Sequence, residues 1–577
     1  MNANGLGFMR RSSGATASTS ASSSAATAAA ESSSGRMDFA KLQSRPSSAF
    51  VPPHKTQLPP RYHLSLSSGG GAASHSHRQQ WQRRIWGAVT LILAVSALFY
   101  FFSVFGGPRR QQNSRGHAIV IDAGSSGSRL HIFSYKVEKL FPHIDTQDIP
   151  SLKTKPGLSS FSSNPQQAGE SLVELLDFAN ARIAKKDRGQ TRLYLMATAG
   201  LRRLEKNIQD DIIESCRSVL RKSDFMFEDS WASVITGTEE GIFAWVSANY
   251  ALGTLGGDPH ATTGIVELGG ASAQVTFVPD SPFPPEFLHS LEFGGVNYKL
   301  YTYSFLHFGQ EAAWDNLLQL LLSGAVKPRL KAKPGVVIDP CTPAGYVMNS
   351  ELLEKIANTL PGPNQVKVST VLSSGNFSEC RRAAQELLQM GEDQCLHERC
   401  AIGSTFVPDL RGKFFATENF FYTSEFFGLP ATTSLADVEA AGDFYCGEQW
   451  TKLKDKHVGI QEEDLLKYCF STAYIVALLH DRLGIAMHDE RVRFTNKVGN
   501  VPLDWALGAL MVKLADNIEE RSEWSFGDDW VTILSFFGSF GLVFVLVWLV
   551  LRCRKPRLKT IYDLEKGRYI TTTRLHR

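Results

Sequence analysis

The sequence predicts an α/β body that carries a duplicated strand–loop–strand segment and lies between two membrane spans. The duplication is seen in two acid-glycine loops, Asp122–Arg129 and Glu267–Gln274, which have nearly the same order of residues. Each loop follows an apolar run and precedes alternating apolar and polar residues, a pattern typical of a strand, a tight loop and a second strand. The spans are predicted at 85–105 and 530–551, where long apolar runs enclose the region that contains both loops.

The two apolar runs are long enough to cross a membrane. With 577 residues, 43% hydrophobic and 20% charged, the composition is that of a globular protein with additional apolar segments. Neither run contains a charged residue, and each exceeds the length needed to cross a hydrocarbon core of roughly 30 Å. The run at 85–105 starts too far into the chain for a cleaved signal peptide. Because basic residues at 552–557 follow the second run, the C-terminal tail is predicted to be cytoplasmic, and two spans place the N-terminus on the same side.

These spans divide the chain into segments. Residues 1–84 are rich in Ser, Ala, Gly, Pro and Thr, cannot bury enough apolar surface to fold, and are predicted to form a disordered cytoplasmic tail. Residues 106–529 form a lumenal or extracellular body, and residues 552–577 a second cytoplasmic tail. The membrane is therefore an expected partner, either Golgi or plasma membrane. The net charge of +3 gives no sign of a nucleic-acid partner, and none is expected; the sequence specifies no oligomeric state.

The cysteines indicate an oxidising compartment. Seven of the eight lie in the body, and six of them are clustered late, at Cys341, Cys380, Cys395, Cys400, Cys446 and Cys469. Six cysteines allow 15 pairings, so spacing alone leaves the connectivity open. Cys216 lies in a helical pattern and is expected to be a buried thiol. The sequon Asn376-Phe377-Ser378 fits a lumenal or extracellular face.

The composition of the two loops suits phosphate binding. Glycine lets the backbone turn and approach a ligand closely, while main-chain N–H groups and serine hydroxyls donate to phosphate oxygens. An acid at the end of a strand can hold a divalent cation or its waters. Neither loop contains a lysine or leads into a helix, so neither is a P-loop. Two Gly/Ser hairpin turns are the structural alternative, which the recurrence of the loop in matching context disfavours.

Three further stretches have turn or helix-start chemistry. Leu193–Arg202 is an apolar strand pattern that runs into small residues, and Val498–Gly508 indicates a turn followed by a helix. Ile235–Gly241 opens a helical pattern, and the spacing of Thr236 and Glu239 is that of a capping box, a purely structural role. Consecutive glutamates on a helix point about 100° apart, so one can cap the helix while the next faces elsewhere.

Together these stretches resemble the signature regions of the apyrase, or nucleoside triphosphate diphosphohydrolase, family. The matching segments occur in the family's order, as DAGSSGSR at 122–129, ATAGLR at 197–202, TGTEEG at 236–241, ELGGASAQ at 267–274 and VGNVPLDWALG at 498–508. The two-anchor layout is similar to that of membrane-bound ecto- and Golgi members, and plant apyrases look closest. The resemblance implies two ribonuclease-H-like lobes of the actin/sugar-kinase type with nucleotide in the cleft, a lobe boundary near 260, and a return to the first lobe near 490.

The resemblance also implies roles for the matching residues. The phosphate-binding positions would be Asp122, Ala123, Gly124, Ser125, Ser126, Gly127, Ser128 and Arg129 in the first loop, and Glu267, Leu268, Gly269, Gly270, Ala271, Ser272, Ala273 and Gln274 in the second. Asp122 and Glu267 would hold the waters of Ca²⁺ or Mg²⁺. Members commonly have aspartate at the position of Glu267. The family's disulfide pattern implies the pairs 341–380, 395–400 and 446–469.

The implied catalytic residues define a hydrolytic mechanism. Glu240 would be the general base, Ser272 and Gln274 would orient the attacking water, and Thr198 would lie nearby. We therefore expect metal-dependent hydrolysis of terminal phosphates of nucleoside tri- and/or diphosphates by direct attack of water. A covalent phosphoserine route is disfavoured because no histidine or other evident base belongs to the serine loops. An inorganic polyphosphate phosphatase and a catalytically silent, membrane-anchored binding protein remain as alternatives.

Overall fold

The structure is a computed structural model that describes most of the predicted body. It covers residues 80–98 with short gaps, 115–138, 141–324, 326, 336–348, 370–390, 395–397, 400–552, 559–565 and 567–572. Residues 1–79, nearly all of the predicted N-terminal tail, lie outside this part of the chain, as do residues 553–558 and 573–577 of the C-terminal tail. The predicted segment boundaries stay predictions.

The first half of the body is built on a six-stranded mixed sheet. Its strands are β1 (Arg115–Ala123), β2 (Ser128–Glu138), β3 (Phe141–Ile144), β4 (Ser151–Thr154), β5 (Arg192–Ala197) and β6 (Ala232–Val234). The order is β3-β2-β1-β5-β6, with β4 also paired to β2. β1 and β2 are antiparallel, whereas β5 runs parallel to β1 and β6 parallel to β5. The first acid-glycine loop therefore joins two antiparallel strands at the centre of this sheet, as the sequence predicts.

A second six-stranded sheet repeats this arrangement. Its strands are β7 (Gly264–Leu268), β8 (Ser272–Phe277), β9 (Leu288–Phe293), β10 (Val296–Leu306), β13 (Phe414–Glu418) and β14 (Val492–Phe494), in the order β14-β13-β7-β8-β10-β9. β7 and β8 are antiparallel, and β13 runs parallel to both β7 and β14. The second loop thus occupies the same position in its sheet as the first loop does, and the predicted duplication of strand, loop and strand is confirmed.

Three short strand pairs lie outside these sheets. They are β11 (Val336–Asp339) with β12 (Thr370–Ser373), β15 (Lys497–Val498) with β16 (Val501–Pro502), and β17 (Lys559–Asp563) with β18 (Arg568–Thr572). The β15–β16 hairpin is the turn predicted within Val498–Gly508, and a helix begins three residues after it, at Trp505.

Helices surround both sheets. They are α1 (Pro165–Glu170), α2 (Val173–Arg182), α3 (Lys185–Arg188), α4 (Ala199–Arg202), α5 (Lys206–Leu220), α6 (Gly237–Leu252), α7 (Gln310–Ser323), α8 (Phe377–Gln389), α9 (Asn419–Phe426), α10 (Leu435–Cys446), α11 (Trp450–Lys456), α12 (Glu462–Val476) and α13 (Trp505–Arg552). A π-helical turn, Ala477–Arg482, extends α12. Short 3₁₀ turns occur at Leu158–Phe161, Asp229–Trp231, Pro259–Ala261 and Pro285–Phe287.

Both faces of the central strand β1 are buried, which fixes the loop that follows it. Ala118 and Val120 belong to one apolar cluster, and Ile119 and Ile121 to another on the opposite face. Successive side chains of a strand point to opposite faces, so a strand covered on both sides reads as a continuous apolar run. The end of β1, where Asp122 stands, is therefore held by packing on two sides.

Helices α6 and α13 pack against each other in a core shared by both sheets. Trp245 of α6 and Leu507 of α13 lie in one buried cluster with Phe133 of the first sheet and Tyr298 of the second. A Cβ atom at Gly508 would overlap the carbonyl oxygen of Phe243, so the two helix backbones approach as closely as only glycine permits. This contact positions the beginning of each helix, where two of the signature segments lie.

Disulfides stabilise the second half of the body. The bonds are Cys341–Cys380, Cys395–Cys400 and Cys446–Cys469, the pairs that the family resemblance implies. Cys216, in α5, is a buried free thiol as expected.

Within the described ranges, no helix has both the length and the apolar character needed to span a membrane. Residues 99–105 of the first predicted span lie outside those ranges. The two-span arrangement stays a prediction.

Candidate active site

The two acid-glycine loops face each other across a cleft. A Cβ atom at Gly270 would lie 2.7 Å from Ser125 Oγ, which shows how closely the second loop approaches the first. The loop residues that line the cleft are Asp122, Gly124, Ser125, Ser126, Gly127, Arg129, Glu267, Gly269, Gly270, Ala271 and Ser272. Backbone N–H groups and serine hydroxyls from two sheets thus converge on one space, an arrangement suited to a chain of phosphates.

The two acids at the strand ends lie in this cleft. Asp122 Oδ1 and Glu267 Oε2 are buried, and neither has a hydrogen-bond partner in the described part of the chain. Buried carboxylate oxygens without partners are costly, so the site fits a divalent cation or its waters. Burial raises the pKa of both groups well above their ordinary values, and neighbouring carboxylates raise them further. The described residues contain no ready-made cluster of three metal-ligating side chains.

The consecutive glutamates at the start of α6 have different environments. Glu239 completes the predicted capping box: its Oε2 accepts a hydrogen bond from the Thr236 N–H at 2.8 Å, and its own N–H donates to Thr236 Oγ1 at 3.1 Å. Glu240 is 7% exposed and lines the cleft between the loops. The structure therefore separates a capping residue from a cleft residue at adjacent positions.

Glu240 is ion-paired to Arg202 at the end of the ATAGLR segment. Arg202 Nη2 donates to Glu240 Oε2 at 2.7 Å, while Nη1 donates to the carbonyl of Ile235 at 3.0 Å. Burial raises the pKa of Glu240, whereas the Arg202 guanidinium and a hydrogen bond with the Gln274 side chain act in the opposite direction.

Ser272, Gln274 and Thr198 lie close to this pair. Gln274 Nε2 donates to Ser272 Oγ at 2.7 Å, and Arg202 Nη2 reaches the same hydroxyl at 3.5 Å. Gln274 Oε1 is buried without a hydrogen-bond partner among the described residues, so it can accept from a water. Thr198 is 5% exposed and lines the cleft. The four side chains predicted to be catalytic are thus brought together.

Some predicted loop residues lie in the strands instead. Ala123, Leu268 and Ala273 are buried in the hydrophobic core, and Ser128, 1% exposed, begins β2. None of the four is among the residues that line the cleft. Gln274, in β8, is not among those residues either. The strands extend further into each signature segment than its composition indicates, and the phosphate-binding roles of these positions stay predictions.

Other cleft residues were not assigned from the sequence. Asp504, Lys153 and Glu418 line the same space, and Lys153 Nζ donates to Ser126 Oγ at 3.3 Å. Asp504 and Arg202 belong to signature segments, so the sequence marked their positions but assigned them no role. Lys153, in β4, and Glu418, at the end of β13, belong to none of these segments.

Asp504 is surrounded by basic groups. His131 Nε2 lies 3.1 Å from Asp504 Oδ2, and Arg129 Nη1 lies 3.7 Å from the same atom. Asp504 Oδ1 also accepts from the N–H of Ala506 at 2.9 Å, at the start of α13. Burial alone would raise the pKa of Asp504, but His131 and Arg129 outweigh it and hold this pKa below the ordinary value. Asp504 therefore remains ionised and joins the last signature segment to the first sheet.

The fold and the cleft are those of a nucleotide-hydrolysing enzyme class. The chain belongs to the GDA1/CD39 (nucleoside phosphatase) family, whose model matches residues 109–523 and so covers both sheets and every residue that lines the cleft. The family resemblance stated from the sequence is confirmed, and with it the prediction of an apyrase-type enzyme.

Individual relatives agree with this assignment. The chain is 48% identical over 500 residues to "Probable apyrase 6" of Arabidopsis thaliana, covering 84% of this chain and 89% of that protein. It is 44% identical over 480 residues to "Probable apyrase 4" of the same organism, covering 82% and 94%. A solved nucleoside triphosphate hydrolase from Neospora caninum has a similar fold, with a TM-score of 0.54 at 16% identity, covering 81% of this chain and all of that one.

Proposed function

We propose that this protein hydrolyses the terminal phosphate of nucleoside tri- and/or diphosphates by direct attack of water, with Glu240 as the general base. The observation that carries the proposal is the position of Glu240, buried in a cleft lined by the two phosphate-binding loops. Family membership and the names of its apyrase relatives support a nucleotide as the substrate.

The loops would bind the phosphate chain from both sheets. Backbone N–H groups of 124–127 and 270–272 and the hydroxyls of Ser125 and Ser126 would donate to phosphate oxygens. Lys153 and Arg129 line the same cleft and would balance part of the anionic charge. Such fixed donors stabilise charge that develops on the transferred phosphoryl group without reorganising during the reaction.

Glu240, Gln274 and Ser272 would act on the water. Gln274 Oε1, free among the described residues, would accept one of its hydrogen bonds, and Glu240 would receive the proton that it loses. Asp122 and Glu267 would hold a Ca²⁺ or Mg²⁺ ion or its waters, since both line the cleft and each has a buried oxygen without a hydrogen-bond partner in the described part of the chain. A bound divalent cation neutralises phosphate charge and favours departure of the leaving group.

We further propose the finer architecture that the family implies. The repeated order of the two sheets supports ribonuclease-H-like lobes of the actin/sugar-kinase type, with the nucleotide between them. The charge-free runs at 85–105 and 530–551 and the basic residues after the second support two spans with cytoplasmic tails and a lumenal or extracellular body. The three disulfides suit an oxidising compartment.

A substrate panel tests the activity. Purified full-length chain should release phosphate from nucleoside tri- or diphosphates with added Ca²⁺ or Mg²⁺, lose this activity with excess EDTA, and regain it when the cation is restored. Inorganic polyphosphate is the comparison substrate, because paired loops of this kind could also hold it. Faster release from polyphosphate than from every nucleotide would overturn the assignment, and no cation-dependent release from any substrate would favour a silent binding protein.

A further inference from the structure

Glu418 occupies an unusual backbone conformation at the edge of the cleft. It is the last residue of β13, with φ 58° and ψ −120°, in a region that side chains rarely adopt and glycine favours. In the described part of the chain only His307 is another non-glycine residue with positive φ. Such conformations persist only where the surrounding structure holds them, and they are concentrated at functional sites.

Two asparagines, one adjacent in sequence and one distant, form hydrogen bonds at this position. The N–H of Glu418 donates to Asn496 Oδ1 at 2.7 Å, and Asn419 Nδ2 donates to the carbonyl of Leu268 at 2.8 Å. Glu418 also pairs in register with Leu268, so the strained residue lies beside the end of β7. Glu267, the acid of the second loop, immediately precedes Leu268. The strained turn therefore places a third carboxylate in the cleft that the two loop acids line.

The Glu418 carboxylate faces the cleft without a fixed partner. It lines the cleft together with Asp122 and Glu267, and no hydrogen bond or ion pair to it is found among the described residues. Glu267, 7% exposed, lines the same space, and its Oε2 has no hydrogen-bond partner among the described residues. Carboxylates that repel one another and are removed from water need a compensating positive charge. The charge of Arg129 acts on both Glu418 and Asp122, and that of Lys153 acts on Glu418, but burial outweighs them and raises the pKa of both acids.

We propose that Glu418 is a further carboxylate of the cation-binding site, acting with Asp122 and Glu267 on the waters of the bound divalent cation. The inference rests on the proposed function, because it assumes that the loop acids hold such a cation. The residue belongs to neither acid-glycine loop, and its contribution increases the negative charge that faces the cation. Groups that hydrogen-bond to the ligands of a metal orient those ligands, and loss of such a group lowers metal affinity.

The test is direct measurement of cation binding by the purified full-length protein. Chelator-stripped wild type, Glu418→Gln, Asp122→Asn and Glu425→Gln are titrated with CaCl₂ or MgCl₂ alone, and both calorimetric affinity and the cation-induced rise in Tm are recorded. Glu425→Gln is the matched control, since Glu425 is exposed on α9, which begins one residue after Glu418, and its change removes the same charge outside the cleft.

We expect Glu418→Gln to weaken cation binding by about 10–100-fold, the range typical of outer-shell metal partners, and Glu425→Gln to bind like wild type. Without cation, the Tm of Glu418→Gln should not be lower than that of the wild type. If Glu418 only balanced the charge of Arg129, its substitution would lower this Tm. Unchanged affinity in Glu418→Gln, with binding lost in Asp122→Asn, would overturn this inference and leave the proposed function standing. Absence of cation binding by the wild type would overturn the proposed cation site itself.

Discussion

Arg202 donates a hydrogen bond from Nη2 to Oε2 of Glu240 across 2.7 Å, and the same guanidinium is anchored to the carbonyl of Ile235. The proposed base therefore stands at the start of α6 as one half of a buried ion pair. An opposite charge at this distance favours the ionised carboxylate, while burial favours the neutral one. The ion pair thus affects the fraction of Glu240 that is ionised and able to accept a proton.

Removal of this charge should shift the pH dependence of hydrolysis. Arg202→Met removes the main group that lowers the pKa of Glu240, so this pKa should rise. A higher pH is then needed to ionise the base. We expect the acid limb of the kcat/KM profile to move to higher pH by about one unit or more. Arg202→Lys keeps the positive charge, so its acid limb should lie between those of the wild type and Arg202→Met.

The control for this experiment is Arg203→Met, which removes the same charge from an exposed neighbouring position. Its acid limb should coincide with that of the wild type. A uniform fall in rate across all pH values in Arg202→Met, without a shift of the limb, would show that the arginine acts only through local packing.

Glu240→Gln should reduce turnover by about 10²–10⁴-fold, because it removes the basic site and keeps the size of the side chain. This loss corresponds to roughly 3–5 kcal/mol of transition-state stabilisation. Nucleotide binding, followed by equilibrium titration, should persist, since the loops supply it.

Glu239→Gln is the matched control for Glu240→Gln. The Glu239 side chain accepts from the N–H of Thr236 and belongs to the capping box, so its change should lower the stability of the protein by up to about 1 kcal/mol and leave turnover within a few-fold of wild type. A greater loss of turnover at Glu239 than at Glu240 would contradict the assignment of the base.

The strained backbone at Glu418 predicts an inverted preference between glycine and alanine. In most elements glycine is less stable than alanine by roughly 0.5–1 kcal/mol, but alanine cannot relieve the positive φ of 58° here. Glu418→Gly should therefore be more stable than Glu418→Ala by about 1 kcal/mol, as measured by denaturant unfolding of the cation-free protein. The ordinary order, with alanine the more stable, would mean that the turn is not strained.

Glycosylation at Asn376 tests the predicted side of the membrane. Asn376 caps α8 through Oδ1, which accepts from the N–H of Glu379 at 2.9 Å, and its side-chain nitrogen remains available to carry a glycan. Protein made in a eukaryotic cell should shift in mobility on treatment with an endoglycosidase, and Ser378→Ala should abolish the shift without loss of the cap. Asn376→Gln should abolish it too and cost about 1 kcal/mol of stability. A wild-type protein with no glycan would contradict a lumenal or extracellular body.

Cys216 should be unreactive until the protein unfolds. Burial raises the pKa of its thiol to about 12, so almost no thiolate is present at neutral pH, and the thiol lies on the buried face of α5 in an apolar cluster. Native protein treated with iodoacetamide should stay unlabelled at Cys216. Labelling should appear after denaturation, and six further labels, from the disulfide cysteines, should appear only after reduction. Rapid labelling of native Cys395 or Cys400 would contradict the oxidised state.

The sequence by itself determined the features that local chemistry encodes. Apolar runs followed by glycine and small hydroxyl residues predict strand, loop and strand at Asp122–Arg129 and Glu267–Gln274, and helix-start spacing predicts the cap at Thr236. Periodicity and turn chemistry depend on neighbours within a few residues, so they are visible without a fold.

Only the tertiary structure decided which distant side chains meet. The pairing of Arg202 with Glu240 depends on how β5 and α6 pack, and the entry of Glu418 into the cleft depends on the pairing of β13 with β7. No local pattern at Glu418 marks it as a site residue, and one of the contacts at its strained backbone is the hydrogen bond to Asn496, far along the chain. Contacts of this kind arise from the packing of whole elements, which is why sequence reasoning found the two loops and missed the third carboxylate beside them.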